Sequence, residues 1–153
     1  MGFWATIAFK TSIRFVDIYV LLYRAMACPY FFPVARFETS PWSVPPRLPL
    51  GDAFSGLCRA PGSSVQPDET RMREVCNPGL GRQSCEHFPP GSTADAIRFH
   101  IAEDSGEFIQ IQYVFEKDCW PTEHGNAAGL TNETSRRQAD VFLESYLRRR
   151  NAT

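Results

Sequence analysis

The 153-residue chain contains no glycine-rich phosphate loop, no dinucleotide-binding fingerprint, no Gly-X-Ser-X-Gly elbow and no His-Glu-X-X-His helix. Nucleotide-dependent chemistry and the standard hydrolytic mechanisms thereby lose their usual anchors. The metal-dependent nuclease pattern is missing too, because Glu116 and Lys117 are adjacent where that pattern needs an intervening residue. Charge of either sign is not in excess. With 16 basic and 17 acidic side chains the formal net charge is -1, which lacks the basic footprint of a nucleic-acid or anionic-membrane binder. What the chain does have is apolar: 43% hydrophobic and 13% aromatic residues suffice for one buried core and exclude a disordered or fibrous protein.

The first 25 residues differ from the rest, with 17 in the hydrophobic class and no proline. Lys10, Arg14, Asp17 and Arg24 interrupt them, and their longest uncharged stretch, Met1 to Phe9, is far shorter than the roughly 20 residues that cross a bilayer. No transmembrane segment is expected. A signal peptide fits poorly, because Asp17 and Arg24 bracket the Ile18 to Tyr23 stretch, whereas an export signal places positive charge ahead of its apolar run. The segment reads either as an amphipathic helix, packed on the domain or lying at an interface, or as an upstream extension. In the second reading Met26, which stands just before a change to proline-rich sequence, is the working start. The expected compartment is the cytoplasm, where thiols stay reduced.

Residues 29 to 91 hold 11 of the 12 prolines and 6 of the 10 glycines, so this stretch is expected to be a turn-rich loop layer. One short helix is legible within it, about residues 67–76. Pro67 suits the first helical position, Asp68 and Glu69 suit the positive end of the dipole, and Asn77-Pro78-Gly79 stops it. Met72, Val75 and Cys76 form its apolar face, which aims Cys76 inward. A β-hairpin is expected over about residues 96–116. There Ile97, Phe99 and Ile101 alternate with Arg98 and His100, and Ile109, Ile111, Tyr113 and Phe115 alternate with Gln110 and Gln112, around an Asp104-Ser105-Gly106 turn. Residues 117–131 read as a linker. An amphipathic helix over about residues 134–150 places Ala139, Phe142, Leu143, Tyr146 and Leu147 on one stripe, with Ser135 and Gln138 as a capping box. The expected fold is a small α+β domain: residues 1–25 as helix or extension, 26–125 as core domain, 126–153 as linker and final helix.

Chemistry concentrates in the cysteines. Cys28, Cys58, Cys76 and Cys85 lie in or beside the turn-rich region, separated by 29, 17 and 8 residues, and Cys119 stands apart. Four thiols can close a zinc or an iron-sulfur site, and either would stabilise loops that bury little apolar area by themselves. No Cys-X-X-Cys pair marks such a site, and buried cysteines also simply fill cores. All-thiolate ligation with wide spacings points to a cluster, whereas His87, two residues after Cys85, would suit zinc. A nucleophilic reading instead makes Cys119 the attacking thiolate, with His124 or His100 as base. Three functions follow: an accessory or binding domain with a structural metal site and a protein partner, a redox protein or enzyme using a cluster or the Cys119 and His124 region, or a metal-free accessory protein with buried thiols.

The blocks Cys28-Pro29-Tyr30-Phe31, Arg47-Leu48-Pro49-Leu50-Gly51-Asp52, Cys58-Arg59-Ala60, Cys76-Asn77-Pro78-Gly79, Asp95-Ala96-Ile97-Arg98-Phe99 and Glu123-His124-Gly125 resemble those of a group of short uncharacterised bacterial proteins. That resemblance carries no activity. It implies that residues 28–125 form the unit and adds weight to a start at Met26.

Overall fold

In the computed structural model, residues 26–44, 46–63 and 65–153 are described, so both readings of residues 1–25 lie outside the described residues. Two antiparallel sheets and a long final helix form an α+β domain.

The turn-rich stretch contains a two-stranded sheet that its prolines and glycines concealed. Strand β1, Phe31–Arg36, pairs with β2, Phe54–Cys58, in a register that sets Phe31 opposite Cys58, with a bulge between Pro33 and Ala35. Gly56 is required where β2 passes β1, because a Cβ there would stand 2.4 Å from the Phe32 carbonyl oxygen and 2.5 Å from the Phe31 ring. The short helix follows as α1, Glu69–Arg71, and continues as a π-turn, Met72–Cys76. Asp68 precedes the helix and caps it, accepting the Arg71 N–H at 2.7 Å. Helix α2, Gly81–Ser84, is a single turn ending at Cys85.

The expected hairpin is present as β3, Ala96–Asp104, and β4, Ile109–Lys117, with Ile101 opposite Ile111 and Phe99 opposite Tyr113. Its apolar face is buried. The expected linker over residues 117–131 is corrected: β5, Trp120–Asn126, adds a third strand to the edge of β4. Asp118 and Cys119 make the connecting turn with φ of 51° and 67°. Two successive positive φ values are the requirement of a tight hairpin turn, usually met by Asn-Gly.

Helix α3, Glu133–Asn151, starts from Asn132, whose Oδ1 accepts the Ser135 N–H at 3.0 Å. The expected Ser135 and Gln138 capping box is therefore replaced by an Asn132 cap. The buried spine is also rotated from the apolar stripe, since Ser135, Gln138, Val141 and Ser145 are its most deeply buried residues. Phe142 and Leu143 pack on the core from the flank. The helix accepts polar residues on its buried face because it lies against the carbonyls of the chain leading into and along β1. Phe31, Leu50, Phe54, Ile97, Phe99, Ile111, Tyr113, Leu130, Ala139 and Val141 make one core that joins both sheets and α3. Each large apolar side chain buried there contributes about 1.5–3 kcal/mol. Ala27 extends the outer edge of β3 by bridging Ile97, with N–H···O distances of 2.7 and 3.0 Å, and this fixes the entry of the chain into Cys28.

Candidate thiolate centre

Four separate pieces of backbone deliver the four cysteines of the turn-rich region. Cys28 follows the Ala27 bridge, Cys58 ends β2, Cys76 ends the π-turn and Cys85 caps the end of α2. Each remains partly buried, and no disulfide joins any of the five cysteines of the chain.

The electrostatics link Cys28 and Cys76 to the other two thiols. Burial pushes the Cys28 thiol up to about 12, and neighbouring Cys58 and Cys85 add to the rise. Burial likewise pushes Cys76 up to about 12, with Cys28, Cys85 and Cys58 all adding to it. Both thiols are neutral at pH 7. The backbone N–H groups of Tyr30 and Phe31 oppose the rise, and the Phe31 N–H donates to the Cys28 carbonyl oxygen at 3.2 Å.

The walls of the centre are formed by backbone without side chains and by aromatic rings. A Cβ on Gly81 would lie 3.0 Å from the Cys28 sulfur and 3.2 Å from the Phe88 ring, so glycine lets α2 close on Cys28. Phe88 meets the Tyr30 ring edge-on at 5.4 Å, and the Tyr30 hydroxyl is hydrogen-bonded to Ser92 Oγ. Arg71 supplies positive charge, with one guanidinium nitrogen 3.9 Å from the Cys85 sulfur and another 2.9 Å from Glu86 Oε1. His87 sits on the exposed side, 3.7 Å from the same Glu86 oxygen.

Two amides that sequence reasoning assigned elsewhere support this arrangement. Asn77, read as a helix stop, is buried; its Oδ1 accepts the Phe54 N–H at 2.8 Å, and its Nδ2 donates to the Phe54 and Met72 carbonyls at 2.9 and 3.0 Å. It thereby ties the residue after Cys76 to the start of β2. Gln138, read as half of a capping box, reaches from α3 to donate to the Cys28 and Phe31 carbonyls at 2.8 and 2.7 Å. An Asn beside a Cys in a turn was a usable signal. Gln138 offered none, because its partners are 107 and 110 residues away.

Among the described residues, no three His, Cys, Asp or Glu side chains stand close enough to enclose a metal ion as they are placed. The four thiols influence one another without converging on a single point.

The alternative centre is arranged differently. Cys119, in the β4–β5 turn, lines a cleft with Arg82, Asp95 and Glu116. Arg82 joins the buried Asp95 at 3.1 Å and Asp118 at 2.6 Å, and Asp95 accepts the Asp118 N–H at 2.9 Å. Glu116 is paired with Arg98. His100 and His124 are exposed, opposite Gln112 and Val114 on the two sides of β4, and neither lines the cleft. These charges hold the strained turn in place.

Among the described residues, no helix is long and apolar enough to cross a membrane. No family model, curated protein or solved structure matches the chain.

Proposed function

We propose that the chain is a small accessory domain built around one four-thiolate centre, Cys28, Cys58, Cys76 and Cys85, which holds an iron-sulfur cluster and serves a protein partner. The observation that carries this reading is the environment of Cys28. Burial desolvates its sulfur, and Cys58 and Cys85 push the thiol up further. That combination disfavours a lone thiolate and suits one whose charge a metal shares.

The donor set is all sulfur, with His87 directed to Glu86, which favours iron-sulfur over zinc. With all four positions taken by cysteine, the centre supplies folding energy and leaves no open position for substrate. Near-equal numbers of acidic and basic side chains favour a protein partner over nucleic acid. Five cysteines without a disulfide suit a reducing compartment such as the cytoplasm.

Anaerobic purification of the full chain, with iron, zinc and acid-labile sulfide measured per chain, tests the reading. Iron with matching sulfide and a visible chromophore is the expected result. One zinc per chain would replace the cluster with a structural ion, and absence of all three would overturn the centre.

A further inference from the structure

We infer that the outer edge of β5 is a self-association surface, through which two copies of the chain pair antiparallel and join their three-stranded sheets into one. The ladder fixes which groups face outward. Both backbone groups of Ile97 are spent on Ala27, at 2.7 and 3.0 Å, so Ile97 turns away from β4 and its opposite residue, Phe115, turns toward β5. In an antiparallel ladder this facing alternates along each strand. Phe115 therefore faces Glu123, and the next residue of β5, His124, points its N–H and C=O away from the sheet, as Asn126 points its N–H. Pro121, which has no N–H to offer, stands before the bulge, opposite Glu116. Among the described residues, no backbone group from another segment meets this edge, whereas the outer edge of β1 is met by Arg137 and Gln138 of α3.

Within its own chain β5 buries almost nothing. All of its residues but Gly125 are exposed, and Trp120 keeps 75% of its surface in solvent. A strand with two wet faces and a row of unpaired backbone groups is a template for another strand. A second copy fits that template by symmetry. Trp120 lies four residues before His124 and Ala128 four after it, so antiparallel pairing about a two-fold axis near His124 carries each Trp120 toward the other copy's Ala127–Gly129 turn. Ala128 and Gly129 are small and exposed, and a Cβ on Gly129 would meet nothing within 4 Å, so that turn has room to seat an indole. With a net charge of -1, two copies repel little. Two-fold pairing consumes both β5 edges and closes, so the assembly stops at a dimer. A contact of one short strand and one aromatic side chain per copy belongs to the weak, concentration-dependent class.

Sedimentation velocity of the full chain, from about 1 to 500 μM, tests the pairing in wild type, His124→Pro, Trp120→Ala and Phe108→Ala. His124→Pro deletes the outward N–H and leaves the β4 ladder intact, so it should stay monomeric where wild type dimerises. Trp120→Ala should weaken the dimer at least about tenfold. Phe108, 58% exposed in the β3–β4 turn, controls for unspecific apolar association, and Phe108→Ala should dimerise as wild type does. A wild type that remains monomeric throughout overturns the pairing, and so does a dimer that His124→Pro and Trp120→Ala leave unchanged or that Phe108→Ala weakens equally. Hydrogen exchange read by peptide mass gives a second measurement that needs no variant, should His124→Pro not fold. In wild type the peptide covering residues 120–126 should exchange more slowly as concentration rises. Protection of that peptide at every concentration would show that the edge is covered from within one chain, and fast exchange at every concentration that it is never covered; either result overturns the second copy as its occupant.

Discussion

Gly79 and Gly62 share a left-handed backbone, with φ of 76° and 79°, and differ in their surroundings. A Cβ on Gly62 would meet nothing within 4 Å, whereas one on Gly79 would stand 1.7 Å from the Met26 carbonyl oxygen. Gly62→Ala should therefore lose only the cost of the conformation, about 1–2 kcal/mol. Gly79→Ala should lose at least twice that, because backbone on both sides must move; equal thermal shifts in the two variants would show that the chain after Cys76 is not packed on Met26. The cysteines allow a similar comparison. Cys76→Ser removes one of the four thiols and should strip the metal, while Cys119→Ser, in the β4–β5 turn, should retain it. Loss of metal in both variants, measured on the purified proteins, would count against the assignment. At this scale residue type alone suggested the proposed centre, since thiols in a loop-rich region suggest a metal. The amides of Asn77 and Gln138 were not, because what an amide does depends on which distant carbonyls it meets.

Elements differed in legibility for reasons visible in their burial. The β3–β4 hairpin could be read because one face is apolar and one polar, and alternation survives only when the faces differ in environment. Ile111 is buried and Gln112 exposed, so Ile111→Asp should abolish folding by burying an unpaired charge, and Gln112→Asp should stay within about 1 kcal/mol of wild type. The opposite ranking in denaturant titrations would place the register off by one. Strand β5 was illegible because it has no buried face: all of its residues but Gly125 are exposed, and it contains Pro121. Strands β1 and β2 were hidden by Pro33 and Gly56, the residues that their bulge and close crossing use. In α3 the buried spine includes Ser135, Gln138 and Ser145, so a search for apolar periodicity finds its flank.

The hairpin and α3 are also joined at their ends. The Tyr146 hydroxyl donates to Asp104 at 2.6 Å and Arg150 lies 2.8 Å from both of its oxygens, and these contacts, with the Gly106 N–H, bring the Asp104 carboxyl down from 3.8 to about 2. A carboxyl whose pKa falls on folding stabilises the fold above its unfolded value and loses that contribution as pH drops through its folded value. Wild type should therefore exceed Asp104→Asn in thermal stability at pH 7, and the difference should shrink between pH 4 and pH 2. A constant difference across that window would show that the contact carries no charge dependence.

At the scale of the whole molecule, the centre is where the parts of the chain that bury least are gathered. Cys28, Cys58, Cys76 and Cys85 come from the entry to β1, the end of β2, the π-turn and the one-turn α2, and α3 reaches the Cys28 carbonyl through Gln138. The two sheets and α3 share one apolar core, whereas the segments around α1 and α2 are short and partly exposed. A shared metal would compensate for that shortage, since binding energy at a site absent from the unfolded chain is folding energy. Because burial keeps Cys28 and Cys76 protonated at neutral pH, loading must displace at least those two protons.

The central claim is that four particular thiols act as one centre while the fifth does not. Native alkylation under anaerobic conditions, mapped by peptide mass before and after a chelator, addresses it most directly. The account predicts that Cys119 is modified first, that Cys28, Cys58, Cys76 and Cys85 are protected together, and that the chelator releases all four at once. Release of fewer than four, or protection that the chelator leaves unchanged, would contradict it.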